Sequence, residues 1–411
     1  METRLQVNPF HFVKALSSAL ELSTNGIASH HLGTAIIAGA FGKAMKLNPM
    51  DQQLLVTSAL LHDIGAASDW DEKHRIVYDD HESHIFRHAT IGSQILKQTP
   101  LFESMADVVL HHHDRYLGPN PTGVLRDDIP FLARILHLAD RIDVQIQPDE
   151  HILLQRERIT QYILQSDYFD PKLIGVFERL ALKESFWLDI QSMTHEDLYR
   201  ESSALFGRVS LDLDDLIGIA VVFASIVDEV SRFTYKHSFN VANVASALAQ
   251  FSGHSDDEVK VFYLAGLLHD LGKLSVPEAI LNKQSKLTDE EFLIMKQHPY
   301  YSQRILSMVD GLEDLANWIG HHHEVDDGFG YPDRIESSEF NPGIRILQIA
   351  DIFCALVEKR PYRTAMTRSE VQANLANLVN LGKLDELMTE LLLDRLDLFM
   401  QLVDQNVSDK A

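Results

Sequence analysis

LLVTSALLHDIG at residues 54–65 returns as VKVFYLAGLLHDLG at residues 259–272. Each stretch is an apolar run closed by a His-Asp pair and a glycine: His62-Asp63-Ile64-Gly65 and His269-Asp270-Leu271-Gly272. Thirty-two residues before each pair stands another histidine, His30 and His237. Downstream, His88 in HATIGSQIL matches His298 in HPYYSQRIL. Twenty-three residues further on, each copy reaches a triple histidine followed by an acid, HHHD at 111–114 and HHHE at 321–324. ILHLAD then ends at Asp140 and ILQIAD at Asp351. Five landmarks in one order at nearly equal spacing indicate a duplicated domain.

Around these landmarks apolar residues recur every three or four positions, prolines are few, and Val-rich alternating runs are scarce, which favours helix throughout. The expected fold is all-α: one helical bundle at 1–145, a helical connector at 146–210 and a second bundle at 211–411. In the connector, Ile152, Leu153, Ile159, Tyr162 and Ile163 fall at helical spacing.

Composition narrows the function. The 411 residues carry a formal net charge of −24, which disfavours a nucleic acid polymer as partner because phosphate backbones need basic surface. Cys354 is the single cysteine, so no intramolecular disulfide can form, in keeping with a reducing compartment. The start lacks a signal-peptide pattern. The most apolar stretch, Leu216 to Val227, is too short for the roughly 20 residues that span a bilayer and reads as a buried helix. A cytoplasmic protein without a membrane segment is expected.

The 21 histidines matter only where they converge. An adjacent His-Asp pair offers one nitrogen ligand and one carboxylate, and a carboxylate can bridge two cations. Further histidines and a second Asp from other helices would complete two neighbouring sites. Nitrogen and oxygen donors without thiolate suit iron or manganese. Two such ions about 3.5–4 Å apart can clamp a phosphate during hydrolysis. Successive residues on a helix point about 100° apart, so a triple histidine need not converge as a whole, and His111 and His321 are expected in solvent. His74, His81, His84, His137 and His254 have no matching partner and read as surface or loop residues.

The second half resembles the HD-GYP family, a branch of the HD phosphohydrolases. It carries His322-His323-Glu324, Asp327-Gly328 and Gly330-Tyr331-Pro332, together with HDLGK at 269–273, VPEAILNK at 276–283, LTDEE at 287–291, KQHP at 296–299 and RPYR at 360–363. The resemblance implies hydrolysis of cyclic di-GMP to the linear 5′-phosphorylated dinucleotide. It implies two divalent ions held by His237, His269, Asp270, His298, His322, His323 and Asp351, with Asp270 as the bridge. Lys273 would reach a phosphoryl oxygen from the helix face of His269 and stabilise its charge during in-line attack. Arg360 and Arg363 match positions that hold the ligand's phosphates or bases, and Gly330 and Tyr331 belong to a loop that meets the substrate or a partner. Two departures stand out. The position of a third-metal Glu is Phe233, which favours two ions and puts a second hydrolytic step in doubt. Cys354 stands where an Asp usually follows the last ligand by three residues.

The substrate could equally be the 3′3′-linked cyclic GMP-AMP hybrid. From another class, the chain could be a non-catalytic receptor or adaptor that captures a partner such as a diguanylate cyclase domain. The first half keeps His30, His62, Asp63, His88, His112, His113 and Asp140 as a possible second metal site for two more ions, with His31 blurring the first position by one residue. It has Ala66 in place of the lysine, Asp114 in place of the Glu, no GYP motif and no RPYR. Three roles stay open for it: a structural or regulatory module, a nucleotidase acting on the product, and a sensor.

Overall fold

The computed structural model describes residues 4–22, 30–66, 82–203, 205–230, 236–359 and 365–404. It is helical nearly throughout and divides into two compact units, Asn8–Val209 and Ser210 onward, the latter joined by the first seven residues. The all-α expectation holds with one small addition. Strand β1 (Arg4–Val7) pairs with β2 (Val209–Asp212), so the N-terminus forms a two-stranded ribbon with the start of the second unit.

In the first unit, α1 is Phe10–Leu22, α2 His30–Met45, α3 Pro49–Leu61, α4 Glu82–Leu96, α5 Pro100–Leu110 and α6 Phe131–Val144. The segment expected as a connector folds as α7 (Ile152–Gln165), α8 (Pro171–Ala181), α9 (Glu184–Ser192) and α10 (His195–Ser203). It belongs to this unit: α8 and α9 pack on α2. Its anchor is Trp187, fully buried edge-on against Phe177 and Phe186, with its indole N–H donating to the Ala181 carbonyl at 3.0 Å.

The second unit runs α11 (Leu213–Val230), α12 (His237–Phe251), α13 (Asp256–Leu268), α14 (Glu278–Leu281), α15 (Asp289–Met295), α16 (His298–Leu306), α17 (Glu313–Gly320), α18 (Pro342–Val357), α19 (Arg368–Asn380), α20 (Glu386–Leu393) and α21 (Leu396–Asp404). α11 contains the apolar stretch read as a buried helix. Leu216, Ile219, Val222, Phe223, Ile226 and Val227 are buried, while Asp214 and Asp215 stand in its first turn. Among the described residues no helix is long and apolar enough to cross a membrane.

The duplication shows in the packing. α2 packs on α3 and α6 as α12 packs on α13 and α18. Local signals fix where these helices begin. Asn48 caps α3 by accepting from the Asp51 amide at 3.0 Å, with Pro49 at the first position. Ser255 and Glu258 form a capping box on α13, and Asn341 caps α18 ahead of Pro342. Each cap satisfies backbone N–H groups that the helix itself cannot.

Candidate metal centres

In both units the His-Asp pair sits where an α-helix ends, not within it. His62 is the C-cap of α3 and His269 that of α13. The chain then tightens into short 3₁₀ turns, Ile64–Ala66 and Leu271–Ser275. Lys273 therefore lies on that turn and not on the helix face of His269. Its ammonium contacts Asp270 Oδ2 at 2.5 Å.

The glycine of each pair makes the turn possible. A Cβ on Gly272 would lie 1.9 Å from the His298 carbonyl oxygen and 2.6 Å from the Ser302 amide. A Cβ on Gly65 would lie 2.1 Å from the His88 carbonyl and 2.5 Å from the Gly92 amide. This close approach brings the helix bearing His88 or His298 against the His-Asp pair. In the second unit Ser302 Oγ stitches the contact, accepting from the Gly272 amide at 2.7 Å and donating to the His269 carbonyl at 2.8 Å.

The donors converge in two groups per unit. In the second, His237, His269 and Asp351 form one group and His298, His322 and His323 the other, the ligand atoms of each lying within 4.8 Å of one another. Asp270 spans them. Its Oδ2 is 3.1 Å from His269 Nε2 and 3.6 Å from His237 Nε2, and its Oδ1 is 3.5 Å from His298 Nε2. The first unit repeats this with His30, His62 and Asp140 against His88, His112 and His113. Asp63 Oδ2 is 3.3 Å from His62 Nε2 and 3.7 Å from His30 Nε2, while Oδ1 is 3.3 Å from His88 Nε2.

Hydrogen bonding selects the tautomers. His62, His269, His298, His112 and His322 donate Nδ1–H to the carbonyls of Ala59, Gly266, Met295, Val109 and Ile319, at 2.6–2.8 Å. That leaves Nε2 as a lone-pair donor aimed inward. Nε2 of His62, His269, His298 and His322 is buried without a hydrogen-bond partner. A buried polar atom left so is costly unless a further group completes it. Burial holds His298 down to about 3 and His322 to about 4, so both imidazoles are neutral near pH 7. Burial also opposes charge on His237, yet the Glu358 and Asp351 carboxylates raise it to about 10. Against the same burial, surrounding imidazoles hold Asp270 and Asp351 well below the usual carboxylate range. Imidazole nitrogens around ionised carboxylates at these separations form a receptor for cations, and the residues can hold metal.

HD-domain family models match residues 27–145 and 221–386. The 3′3′-cGAMP-specific phosphodiesterase 1 of Vibrio cholerae is 31% identical over 382 residues, 91% of this chain and 88% of that protein. The chain belongs to the HD-domain family, in its HD-GYP branch. A crystal structure of a cyclic GMP-AMP specific phosphodiesterase of V. cholerae superposes with a TM-score of 0.66 at 25% identity, covering 96% of this chain and 98% of that one. The cyclic di-GMP phosphodiesterase response regulator RpfG of Xanthomonas campestris is 36% identical, over 33% of this chain and 36% of its own length.

The GYP loop of this HD-GYP protein is clasped from inside. Glu324 is fully buried and its Oε1 accepts from the amides of Asp333 and Arg334 at 2.7 and 2.8 Å. Gly330 packs under the loop, where a Cβ would fall 2.4 Å from Glu324 Cα. Tyr331 lies with its ring 4.9 Å from the His323 ring and 6.2 Å from that of Phe292, so it borders the cluster. Phe329 at the loop tip is 82% exposed. Arg360, Arg363 and Phe233 lie outside the described residues, as do His74 and His81.

Three sequence expectations are corrected. His321 is buried, not solvated. It donates from Nδ1 to the Asn317 carbonyl at 2.8 Å, and its Nε2 meets Asp333 Oδ2 at 3.1 Å. His111 likewise turns away from the cluster and pairs with Asp114 Oδ2 at 2.6 Å. His137 is buried on α6, where its Nδ1 donates to the Asp114 carbonyl at 3.1 Å and burial takes it down to about 4. In each case the helix end or loop near the triple histidine offers backbone and carboxylate partners that spacing alone does not reveal.

Sequence reading missed three contributors, Arg141, Asp143 and Glu358, and left His31 as an ambiguous neighbour of His30. His31 is buried beside His30, with Nε2 3.9 Å from Asp63 Oδ2. Arg141 is buried next to Asp140, donating from Nε and Nη2 to its Oδ2 at 3.0 and 2.8 Å. Asp143 and Glu358 accept from Nδ1 of His30 and His237, at 2.7 and 2.9 Å. Asp143 lies three residues after Asp140, the position whose counterpart Cys354 was noted as a departure, so that signal was available.

Proposed function

We propose that the second unit is a metal-dependent phosphodiesterase that opens 3′3′-cyclic GMP-AMP to its linear 5′-phosphorylated dinucleotide. The observation that carries the chemistry is Asp270 with one oxygen turned to each donor group. His237, His269 and Asp351 would hold one divalent ion, His298, His322 and His323 the other, and Asp270 both. Iron or manganese suits these nitrogen and oxygen donors. Bound, such ions supply positive charge that polarises a phosphoryl oxygen and acidifies water. The protein's own residues orient the reaction. Water adds to phosphorus, the bond to the 3′ oxygen breaks, and that oxygen leaves as a hydroxyl. Lys273, on the turn beside Asp270, offers an ammonium to the phosphoryl charge that grows in the transition state. Lys273→Met is expected to lower kcat about 100-fold with little change in bound metal, measured by steady-state kinetics and metal analysis.

The choice of the hybrid dinucleotide rests on coverage. Similarity to the cyclic GMP-AMP enzyme extends over both units, whereas that to the cyclic di-GMP enzyme RpfG is confined to a third of the chain. The test is competition between equal amounts of the two cyclic dinucleotides, followed by chromatography. Faster loss of cyclic GMP-AMP supports the assignment, and faster loss of cyclic di-GMP reverses it.

For the first unit the geometry favours a second phosphohydrolase site over an inert module. Asp63 spans its donor groups as Asp270 does, and Arg141 supplies a cation where Ala66 cannot. Its proposed substrate is the terminal 5′-phosphate of the linear product. Asp63→Ala is expected to leave ring opening within about twofold while the 5′-phosphorylated product accumulates undegraded. Unchanged phosphate release in that variant removes the reading.

A further inference from the structure

The two units orient the first histidine of their clusters by different means, and the difference involves three positions at once. In the first unit His30 Nδ1 donates to Asp143 Oδ2 at 2.7 Å, and Asp143 follows Asp140 by three residues. Three residues after His30 stands Gly33, whose Cβ would fall 1.9 Å from Asp143 Oδ1. Only the missing side chain leaves room for that carboxylate. In the second unit the residue three after His237 is Asn240, and the residue three after Asp351 is Cys354, a buried thiol. The carboxylate comes instead from Glu358, one helical turn beyond Cys354 at the C-cap of α18. Its Oε2 accepts from His237 Nδ1 at 2.9 Å and its Oε1 from Asn240 Nδ2 at 2.8 Å. Gly33 with Asp143 has become Asn240, Cys354 and Glu358.

We infer that Glu358 is the positioning residue of the second cluster. Held by Asn240, it fixes the His237 tautomer and ring so that Nε2 faces Asp351 and Asp270, the task Asp143 performs for His30. The longer side chain makes up the turn of helix by which the carboxylate has moved, and the Asn240 amide occupies the space that Gly33 leaves open in the first unit. An outer carboxylate of this kind typically changes metal affinity 10–100-fold. The inference rests on the metal-binding reading of the second cluster given above.

The test is Mn²⁺ binding to the full-length chain, with free Mn²⁺ read by electron paramagnetic resonance. An Asp63→Ala background silences the first cluster, and Asp63→Ala/Asp270→Ala gives the residual binding to subtract. In that background Glu358→Ala is expected to weaken Mn²⁺ binding about 10–100-fold. Glu358→Gln keeps the side chain's volume but loses the charge and one of two acceptor sites, and is expected to weaken it at least about 5-fold. It gives the reading if the alanine variant does not fold. The transplant Asn240→Gly/Cys354→Asp/Glu358→Ala rebuilds the first unit's arrangement and is expected to bring affinity back to within about 3-fold of the background. Affinity unchanged in both Glu358 variants overturns the positioning role, as does a loss that the transplant leaves in place. If Asp270→Ala itself removes no Mn²⁺, it is the metal reading of the cluster that fails.

Discussion

Replacing Asp270 with alanine is expected to lower kcat/KM for ring opening at least about 1000-fold, or roughly 4 kcal/mol of transition-state stabilisation. The size follows from the carboxylate's place. Its two oxygens face the two donor groups, 3.1 Å from His269 Nε2 on one side and 3.5 Å from His298 Nε2 on the other. Without it the two groups lose their shared anion, and Lys273 loses the partner that holds its ammonium at the centre. Any single imidazole leaves the other group intact, so Asp270→Ala is expected to exceed His298→Ala in effect. Metal analysis of the purified variant should show the second cluster emptied and the first retained. Activity within about tenfold of the parent would contradict the bridging assignment.

Gly272→Ala is expected to damage the same site without touching a ligand. The added methyl would meet the His298 carbonyl and the Ser302 amide, both backbone atoms that no rotamer change can move. The 3₁₀ turn and α16 must therefore separate. Overpacking of this kind costs about 1–3 kcal/mol. At roughly 2–4 °C per kcal/mol for a unit of this size, the melting transition of the second unit should fall by about 2–12 °C. The separation also draws His298 and its Nε2 away from Asp270. A misplacement of about 1 Å can cost on the order of 100-fold in rate, so kcat should fall by about that factor at temperatures where the variant is folded. Calorimetry and steady-state kinetics on one preparation check both parts. A variant with unchanged melting and rate would show that the turn and helix have slack the structure does not reveal.

Much of this architecture was legible in the sequence, for identifiable reasons. The apolar run before each His-Asp pair has helical period, and its recurrence with the same spacing to His30 and His237 revealed the duplication. At the triple histidines the second and third members face the clusters, because a turn cannot aim all three inward. What sequence could not show was where helices stop. The His-Asp pair looked helical because the run before it is, yet helix ends at that histidine so that the following glycine can press against the next helix. His321, His111 and His137 read as peripheral because their partners, the Asn317 carbonyl at a helix end and Asp114 and Asp333 in the loops beyond, give no periodic signal. The β1–β2 ribbon escaped notice for a similar reason. Four residues at each end of a long separation carry no pattern that distinguishes a paired strand from a loop. Glu358 was hidden by its offset from the family position, and only the contrast between Gly33 and Asn240 reveals the exchange.

The most direct measurement is product analysis with the manganese- or iron-reconstituted chain and 3′3′-cyclic GMP-AMP. Metal content is determined on the same sample, with Asp270→Ala run in parallel. Conversion to the linear 5′-phosphorylated dinucleotide by the parent chain, absent in the variant, is the predicted result. A cyclic dinucleotide that persists while the second cluster demonstrably carries its two ions would contradict the phosphodiesterase assignment.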